Sequence, residues 1–236
     1  GRVQHATRIQ AAKALDTLFA PASLNASLGA TITQQPRKHA TDQTTFAIWA
    51  PTALKVSVCL YPQARGKANG KLDLQRDDVS GVWSSTTQKA PQGSYYRYAV
   101  EVFVPQVGRV INHVNDPYAV SLSANSQRSY VADLNAAHLK PANWDTHTSP
   151  SSVKHAVDMR IYELHVRDFS IQDKTVPVSM RGKYLAFTQK QSQGMRHLKA
   201  LAQAGMTDLH LLPVFDFATV PERNCHSSLN AKVALT

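Results

Sequence analysis

Cysteine is scarce in this sequence, because only Cys59 and Cys225 occur among 236 residues. Two cysteines cannot build the disulfide framework of a small secreted domain, and their separation does not fit the paired spacing of a zinc site. Long apolar runs are also missing, since no stretch approaches the roughly 20 residues that a membrane-spanning helix needs. The sequence therefore predicts neither a disulfide-rich fold nor a membrane span.

Acidic residues are few, yet the resulting positive charge is not concentrated anywhere. The 26 lysines and arginines exceed the 16 aspartates and glutamates, which gives a net charge of +10. The excess is +4 in residues 1–40, +2 in residues 41–152 and +4 in residues 153–236. Nucleic-acid-binding proteins usually cluster their basic residues, so we expect an ordinary basic surface and no nucleic-acid partner.

The common cofactor and nucleophile motifs are also absent. The sequence contains no glycine-rich phosphate loop, no G-x-S-x-G elbow and no H-E-x-x-H pair. Its ten histidines are scattered, and none are placed four apart on a predicted helix. We therefore expect no cofactor and no metal site.

What is present is an ordinary globular composition, 43% hydrophobic and 18% charged. Apolar residues alternate with polar ones along residues 45–49, 54–60 and 95–104, and the return strand is predicted at residues 109–114. Short alternating strands separated by turns indicate an immunoglobulin-like antiparallel β-sandwich, which we place at residues 25–150. Residues 1–24 read as a helical lead-in to it.

The pattern changes after residue 153. A strand is predicted at residues 159–167, a helix from Met195 to its terminating Gly205, and a second strand at residues 206–215. Strand, helix and strand form a βαβ unit, whose strands are expected to be parallel. Residues 153–236 are thus predicted to begin an α/β domain.

Three polar residues of the first of these strands, Glu163, His165 and Arg167, are predicted to share one face. Glu163 or His165 could act as an acid or base, or the three residues could form a polar layer that pairs with neighbouring strands inside a parallel barrel. Asp216, at the carboxyl end of the second strand, is a candidate for shaping a site or for capping a loop.

Two aromatic residues are the candidates for contact with sugar rings. Trp83 follows Gly81 and is expected to lie exposed near a strand edge. Tyr95 is predicted to lie on the face of its strand that does not carry Tyr96 and Tyr98. Flat aromatic faces pack against the apolar side of a sugar. The other aromatic residues are expected to fill the sandwich core.

Short segments in both predicted domains form recognisable motifs. They are IYELHVRDFS (161–170), VP (176–177), RGKYLAFT (181–188), HLK (197–199), LLPVFDFATV (211–220), LGA (28–30), TFAIWAPTA (45–53) and DPYA (116–119). Residues 159–220 resemble the first two strands of the catalytic barrel of pullulanase-type debranching enzymes, a division of the α-amylase superfamily. The earlier motifs resemble the starch-binding-type sandwich that precedes that barrel.

The resemblance implies a glycoside hydrolase that cleaves α-1,6 branch linkages of pullulan, starch or glycogen with retention, so the implied partner is an α-glucan. Such enzymes use a carboxylate nucleophile and an acid/base carboxylate. It also implies a (β/α)8 barrel after the sandwich, and the βαβ unit would be the barrel's first portion.

Two departures from the family pattern limit what can be transferred. The family's catalytic carboxylates lie on later barrel strands, so no catalytic residue is assigned here and the chain alone is expected to be inactive. The family often has a Phe-Asn-x-Trp stretch where this sequence has Tyr61, Pro62, Gln63 and Ala64. Three alternatives stay open: the N-terminal part of a debranching enzyme, a stand-alone non-catalytic glycan-binding module, and a pseudogene product.

Overall fold

The structure, a computed structural model, describes residues 11–34, 42–148, 153–212, 214–215 and 222. These residues fall into two units, one within Gly1–Pro141 together with residue 222, and one within Ala142–Phe217. The units thus divide ahead of residue 150, where the sequence placed the end of the sandwich. The predicted domain bounds stay predictions.

The first unit begins with helix α1, which lies inside the predicted lead-in. Its helix and strands are α1 (Ala12–Ser23), β1 (Gly29–Thr33), β2 (Gln43–Trp49), β3 (Lys55–Tyr61), β4 (Gly70–Asp73), β5 (Gln75–Arg76), β6 (Val82–Thr87), β7 (Tyr95–Val104), β8 (Gly108–Val114) and β9 (Ser129–Tyr130). The aromatic ring of Phe19 on α1 lies 5.5 Å from the guanidinium of Arg76, so the helix contacts the strand region.

The strands of this unit form two antiparallel sheets. One has the order β1-β2-β6-β5 and the other the order β4-β3-β7-β8, with β9 beside the first residues of β7. Strands β2, β3, β7 and β8 lie where the alternating pattern predicted them. The predicted all-β sandwich is therefore confirmed.

The core lies between these two sheets and follows from the two-residue period of a strand. Val56 and Val58 of β3 and Tyr96 and Tyr98 of β7 are fully buried, and they face Phe46 of β2. The rings of Phe46 and Tyr96 lie 4.8 Å apart. Because these side chains point inward, their neighbours along β3 and β7 point to the outer face of the second sheet.

The second unit contains the predicted strand–helix–strand arrangement. Its elements are β10 (Ile161–His165), α2 (Val166–Ser170), α3 (Gln193–Gln203) and β11 (Asp208–Leu212). Strands β10 and β11 are parallel, with Ile161 opposite Asp208 and His165 opposite Leu212. The side chain of Ser192 caps α3, and Gly205 follows its end with a φ of +98°.

Both strands are shorter than the sequence predicted. The earlier end of β10 corrects the predicted position of Arg167. Val166 and Arg167 belong to α2, so Arg167 does not share a strand face with Glu163 and His165. The reason is local, because Nδ1 of His165 accepts the backbone N–H of Arg167 at 3.2 Å and caps a helical turn. Apolar alternation continues through this turn and so did not reveal it.

Candidate functional site

Three tyrosines form a row across the outer face of the second sheet. Tyr61 of β3 lies opposite Tyr95 of β7, and Tyr95 lies opposite Tyr130 of β9. All three are half-buried. Neighbouring strands are about 4.8 Å apart, so the three side chains lie next to one another. We call Tyr61, Tyr95 and Tyr130 the tyrosine row.

The row is placed on this face by the burial of its sequence neighbours. Tyr96 and Ser129 are completely buried, and Leu60 is almost so. Since successive strand side chains point to opposite faces, Tyr95, Tyr130 and Tyr61 must point outward. The rings of Tyr95 and Tyr130 contact each other edge to face, with centres 5.0 Å apart.

Arg128 extends this aromatic surface. Its guanidinium lies 3.7 Å from the centre of the Tyr61 ring. Nη1 donates to the carbonyl of Gln63 at 2.6 Å, and Nη2 donates to the carbonyl of Gly66 at 2.5 Å. Arg128 therefore connects the loop that follows β3 to the tyrosine row. Its planar guanidinium adds hydrogen-bond donors beside the aromatic rings.

A buried carboxylate supports the inner side of the same sheet. Oδ2 of Asp116 accepts the phenol O–H of Tyr96 at 2.7 Å, and Oδ1 accepts the backbone N–H of Tyr118 at 2.8 Å. The backbone N–H of Asp116 donates to Oγ of Ser129 at 2.9 Å. Burial raises the pKa of Asp116, although these donors act in the opposite direction. Asp116 thus links β7 to the start of β9.

Two carboxylates of the second unit lie beside basic side chains, Glu163 across the strand pair and Asp168 within α2. Oε2 of Glu163 lies 3.0 Å from Nδ1 of His210, which is opposite it in the parallel register. Oδ1 of Asp168 accepts Nη1–H of Arg167 at 3.1 Å, and His165 lies 3.9 Å from the same carboxylate. Each of these carboxylates therefore has a basic partner.

Comparison with known proteins finds one family model that matches part of the first unit and relatives that match most of the chain. Residues 27–119 match the family of carbohydrate-binding module 48, described as the isoamylase N-terminal domain. The pullulanase of Klebsiella pneumoniae is 45% identical over 221 residues, which are 92% of this chain and 20% of that protein. Pullulanase 1, chloroplastic, of Arabidopsis thaliana is 39% identical over 224 residues, which are 94% of this chain and 22% of that protein.

A solved structure agrees with these matches. Ligand-free PulA from Klebsiella pneumoniae superposes with a TM-score of 0.79 at 43% identity, over 89% of this chain and 20% of that one. This chain is homologous to the pullulanases. It spans about a fifth of the length of the curated pullulanases described above. A structure of Klebsiella pneumoniae pullulanase complexed with maltotriose superposes on this chain with a TM-score of 0.79.

The three predicted site residues, Trp83, Tyr95 and Asp216, have different positions relative to the candidate site. Tyr95 lies at the centre of the tyrosine row. Trp83 does not lie exposed, which corrects the prediction: its side chain is 6% exposed and its Nε1–H donates to the carbonyl of Ala50 at 2.9 Å. Strand β6 is paired on both sides, by β2 and β5, so Trp83 joins the core and offers no open ring face to a sugar. Asp216 lies outside the described residues.

Sequence reasoning missed Tyr61, Tyr130 and Arg128. The alternating pattern could have indicated only which face of the sheet Tyr61 occupies. Strand β9 has two residues, too few to show an alternating pattern that would place Tyr130. Which tyrosines become neighbours depends on the register between strands, which a single sequence does not contain.

Two absences hold for the part of the chain that the structure describes. Within residues 11–34, 42–148, 153–212, 214–215 and 222, no three His, Cys, Asp or Glu side chains are grouped as they would be around a metal ion. In those same stretches no helix has the length and apolar character needed to cross a membrane.

Proposed function

We propose that this pullulanase homologue supplies the glucan-binding module and the first barrel strands of an α-1,6-glucan debranching enzyme acting on pullulan, starch or glycogen. The observation that carries the proposal is the 45% identity to a pullulanase over 92% of the chain. The match of residues 27–119 to a carbohydrate-binding module supports the glucan-binding part.

The tyrosine row is the surface that best suits an α-glucan in the first unit. The C–H faces of glucose rings pack against aromatic rings, while guanidinium groups donate to hydroxyls. Tyr95 and Tyr130 supply adjacent rings, and Arg128 supplies donors beside Tyr61. The row therefore offers an apolar surface with a polar end.

The second unit fits the opening portion of a (β/α)8 barrel. Such a barrel repeats a parallel strand followed by a helix eight times over about 250 residues. The order β10, α3, β11 and their parallel register provide one such repeat and the next strand. The pair of Glu163 and His210 would then belong to the polar layer of the barrel interior, which supports the structural interpretation of Glu163.

Three carboxylates of the second unit are already engaged by neighbouring groups of that unit. A retaining glycosidase uses two carboxyl groups about 5–5.5 Å apart, one as nucleophile and one as acid. Glu163 is paired with His210, Asp168 with Arg167, and Asp173 accepts hydrogen bonds from Thr175 and Gly194. We therefore propose that the chain alone does not hydrolyse pullulan. A stand-alone, non-catalytic glycan-binding module would also be inactive, so inactivity does not distinguish the two alternatives.

Gel electrophoresis in the presence of pullulan, amylopectin or glycogen tests the binding proposal. The 236-residue chain should be retarded by these polymers, and Tyr95→Ala should reduce the retardation. Tyr184→Ala, at an exposed tyrosine of the second unit, is the matched control and should migrate like the wild type. A chain that migrates equally with and without glucan would contradict glucan binding.

The same preparation tests the catalytic part of the proposal. Reducing sugar released from pullulan should not exceed that of a heat-killed sample. Release above this control would show that the chain carries its own catalytic carboxylates and would overturn the proposed inactivity.

A further inference from the structure

A cavity of about 300 Å³ opens in the first unit along the seam between the two sheets. Leu28, Ala30 and Ile32 lie on the side of β1, and Tyr130, Ala132 and Leu134 lie on the side of the second sheet. We call this space the seam cavity. Its volume is at the lower end of the range of about 300–1,000 Å³ in which small ligands are bound.

The seam cavity follows the edge of a strand. Ala30, Thr31 and Ile32 are consecutive in β1 and all line it. Because alternate strand residues point to opposite faces, three consecutive residues can line one cavity only where it runs along the strand edge. Among the described strands β1 pairs with β2 alone, so its second edge is available to this space.

Close backbone packing fixes the end of the seam cavity. Gly29 has a φ of +98°, and a Cβ atom at this position would lie 3.1 Å from the carbonyl oxygen of Tyr118. The glycine thus allows the segment of Tyr118 to approach the start of β1. The cavity is in this way a formed feature with a defined wall.

Its rim exposes large apolar side chains. Tyr118 is 39% exposed, Val120 59% and Leu134 57%. Exposed apolar groups gathered around one concavity mark a binding surface more often than isolated ones do. Polar groups stand among them, since Thr31, Asp133 and Asn135 also line the cavity.

The charges of the lining indicate which ligand it would take. The cavity is lined by no lysine, arginine or histidine, and Asp133 is its one charged residue among those described. Anionic ligands such as phosphates are therefore disfavoured. Oδ1 of Asp133 accepts the backbone N–H of Asn135 at 2.9 Å, which holds this carboxylate in a turn beside the rim. A neutral ligand with hydroxyl groups and apolar C–H faces matches such a lining.

We propose that the seam cavity is a second α-glucan site, which borders the tyrosine row at Tyr130 and extends from there along the edge of β1. This inference rests on the proposed glucan-binding function and adds a site to it. Tyr118 packs against a sugar ring, Leu134 covers the apolar side of the chain, and Asp133 and Asn135 bind hydroxyl groups. An extended peptide paired with the edge of β1 is the competing occupant.

Isothermal titration calorimetry of the full chain with maltoheptaose tests the second site. The wild type should bind two molecules, whereas Leu134→Lys and Tyr95→Ala should each bind one. Tyr118→Ala should weaken the seam site about tenfold, corresponding to the loss of about 1.4 kcal/mol expected for an aromatic contact. Tyr118→Phe keeps the ring and should retain the affinity.

Val107→Lys is the matched control, because Val107 is an exposed apolar residue of the same unit and lies outside the cavity lining. Asn135→Lys, also at an exposed position, gives a second way to block the cavity if Leu134→Lys fails to fold. If both lysine variants bind like the wild type and only Tyr95→Ala loses binding, the seam site is wrong and the tyrosine row stands. If the wild type binds no glucan, both proposals fail.

Discussion

The ionisation of Asp116 is coupled to folding of the sandwich. It is 4% exposed and bound by Tyr96 and Tyr118, yet burial keeps its pKa above the ordinary value of 3.8. The folded state therefore takes up a proton more readily than the unfolded chain does. The stability that Asp116 contributes is complete below the unfolded pKa and is lost as the pH rises through the folded pKa.

Asp116→Asn should consequently change how stability depends on pH. The asparagine cannot ionise, so the free energy of unfolding of the wild type minus that of the variant should fall as the pH rises from about 4 to 7. Urea denaturation of both proteins at each pH measures this difference. A difference that grows with pH would mean that the carboxylate is stabilised by its donors more than it is penalised by burial.

The regular strands could be predicted from sequence because their signal is local. Apolar residues alternate along β3 and β7 because one face of each strand packs into the core, and the structure places both strands as predicted. The other face of β3 is covered as well, since Ser57 and Cys59 are also buried. The end of β10 could not be predicted, because His165 caps α2 through a side-chain contact that leaves the apolar pattern intact. Likewise, the tyrosine row depends on the pairing of β3, β7 and β9, which are far apart in sequence.

Helix α3 depends on a glycine whose role is steric. A Cβ atom on Gly194 would lie 2.7 Å from Cζ of Phe169. The Phe169 ring cannot easily recede, because it stacks parallel to Phe187 with centres 4.3 Å apart. We expect Gly194→Ala to destabilise α3 by about 1–3 kcal/mol, since overpacking outweighs the helical preference of alanine, worth about 1 kcal/mol.

Hydrogen exchange of the α3 amides measures this effect as a lower local opening free energy. Gln193→Ala, at the exposed preceding position, is the control and should change it by less than about 0.5 kcal/mol. Adding Phe169→Leu to Gly194→Ala should restore part of the loss by making room. Unchanged exchange in Gly194→Ala would mean that the aromatic pair shifts without cost.

The two units differ in how well they bury apolar surface. The sandwich has a core of fully buried side chains that includes Phe46, Val56 and Tyr96. In the second unit Ile161 is 57% exposed and Leu209 42%, and helix α3 has no buried residue among those described. Few buried apolar contacts mean a low free energy of local opening, and open edges of apolar strands favour association.

Limited trypsin digestion of the full chain should therefore cut the second unit first. We expect the earliest cleavage after Lys154, which is exposed, or within residues 181–196, where exposed Lys183, Lys190 and Arg196 lie in turns and at the start of α3. The sandwich also offers exposed lysines, such as Lys67 and Lys89, but its antiparallel sheets must open before a protease can bind the backbone there. Mass spectrometry of early products should identify an intact fragment that ends after residue 140. Digestion of the sandwich first, or equal resistance of both units, would contradict the argument that buried apolar contact sets the order of opening.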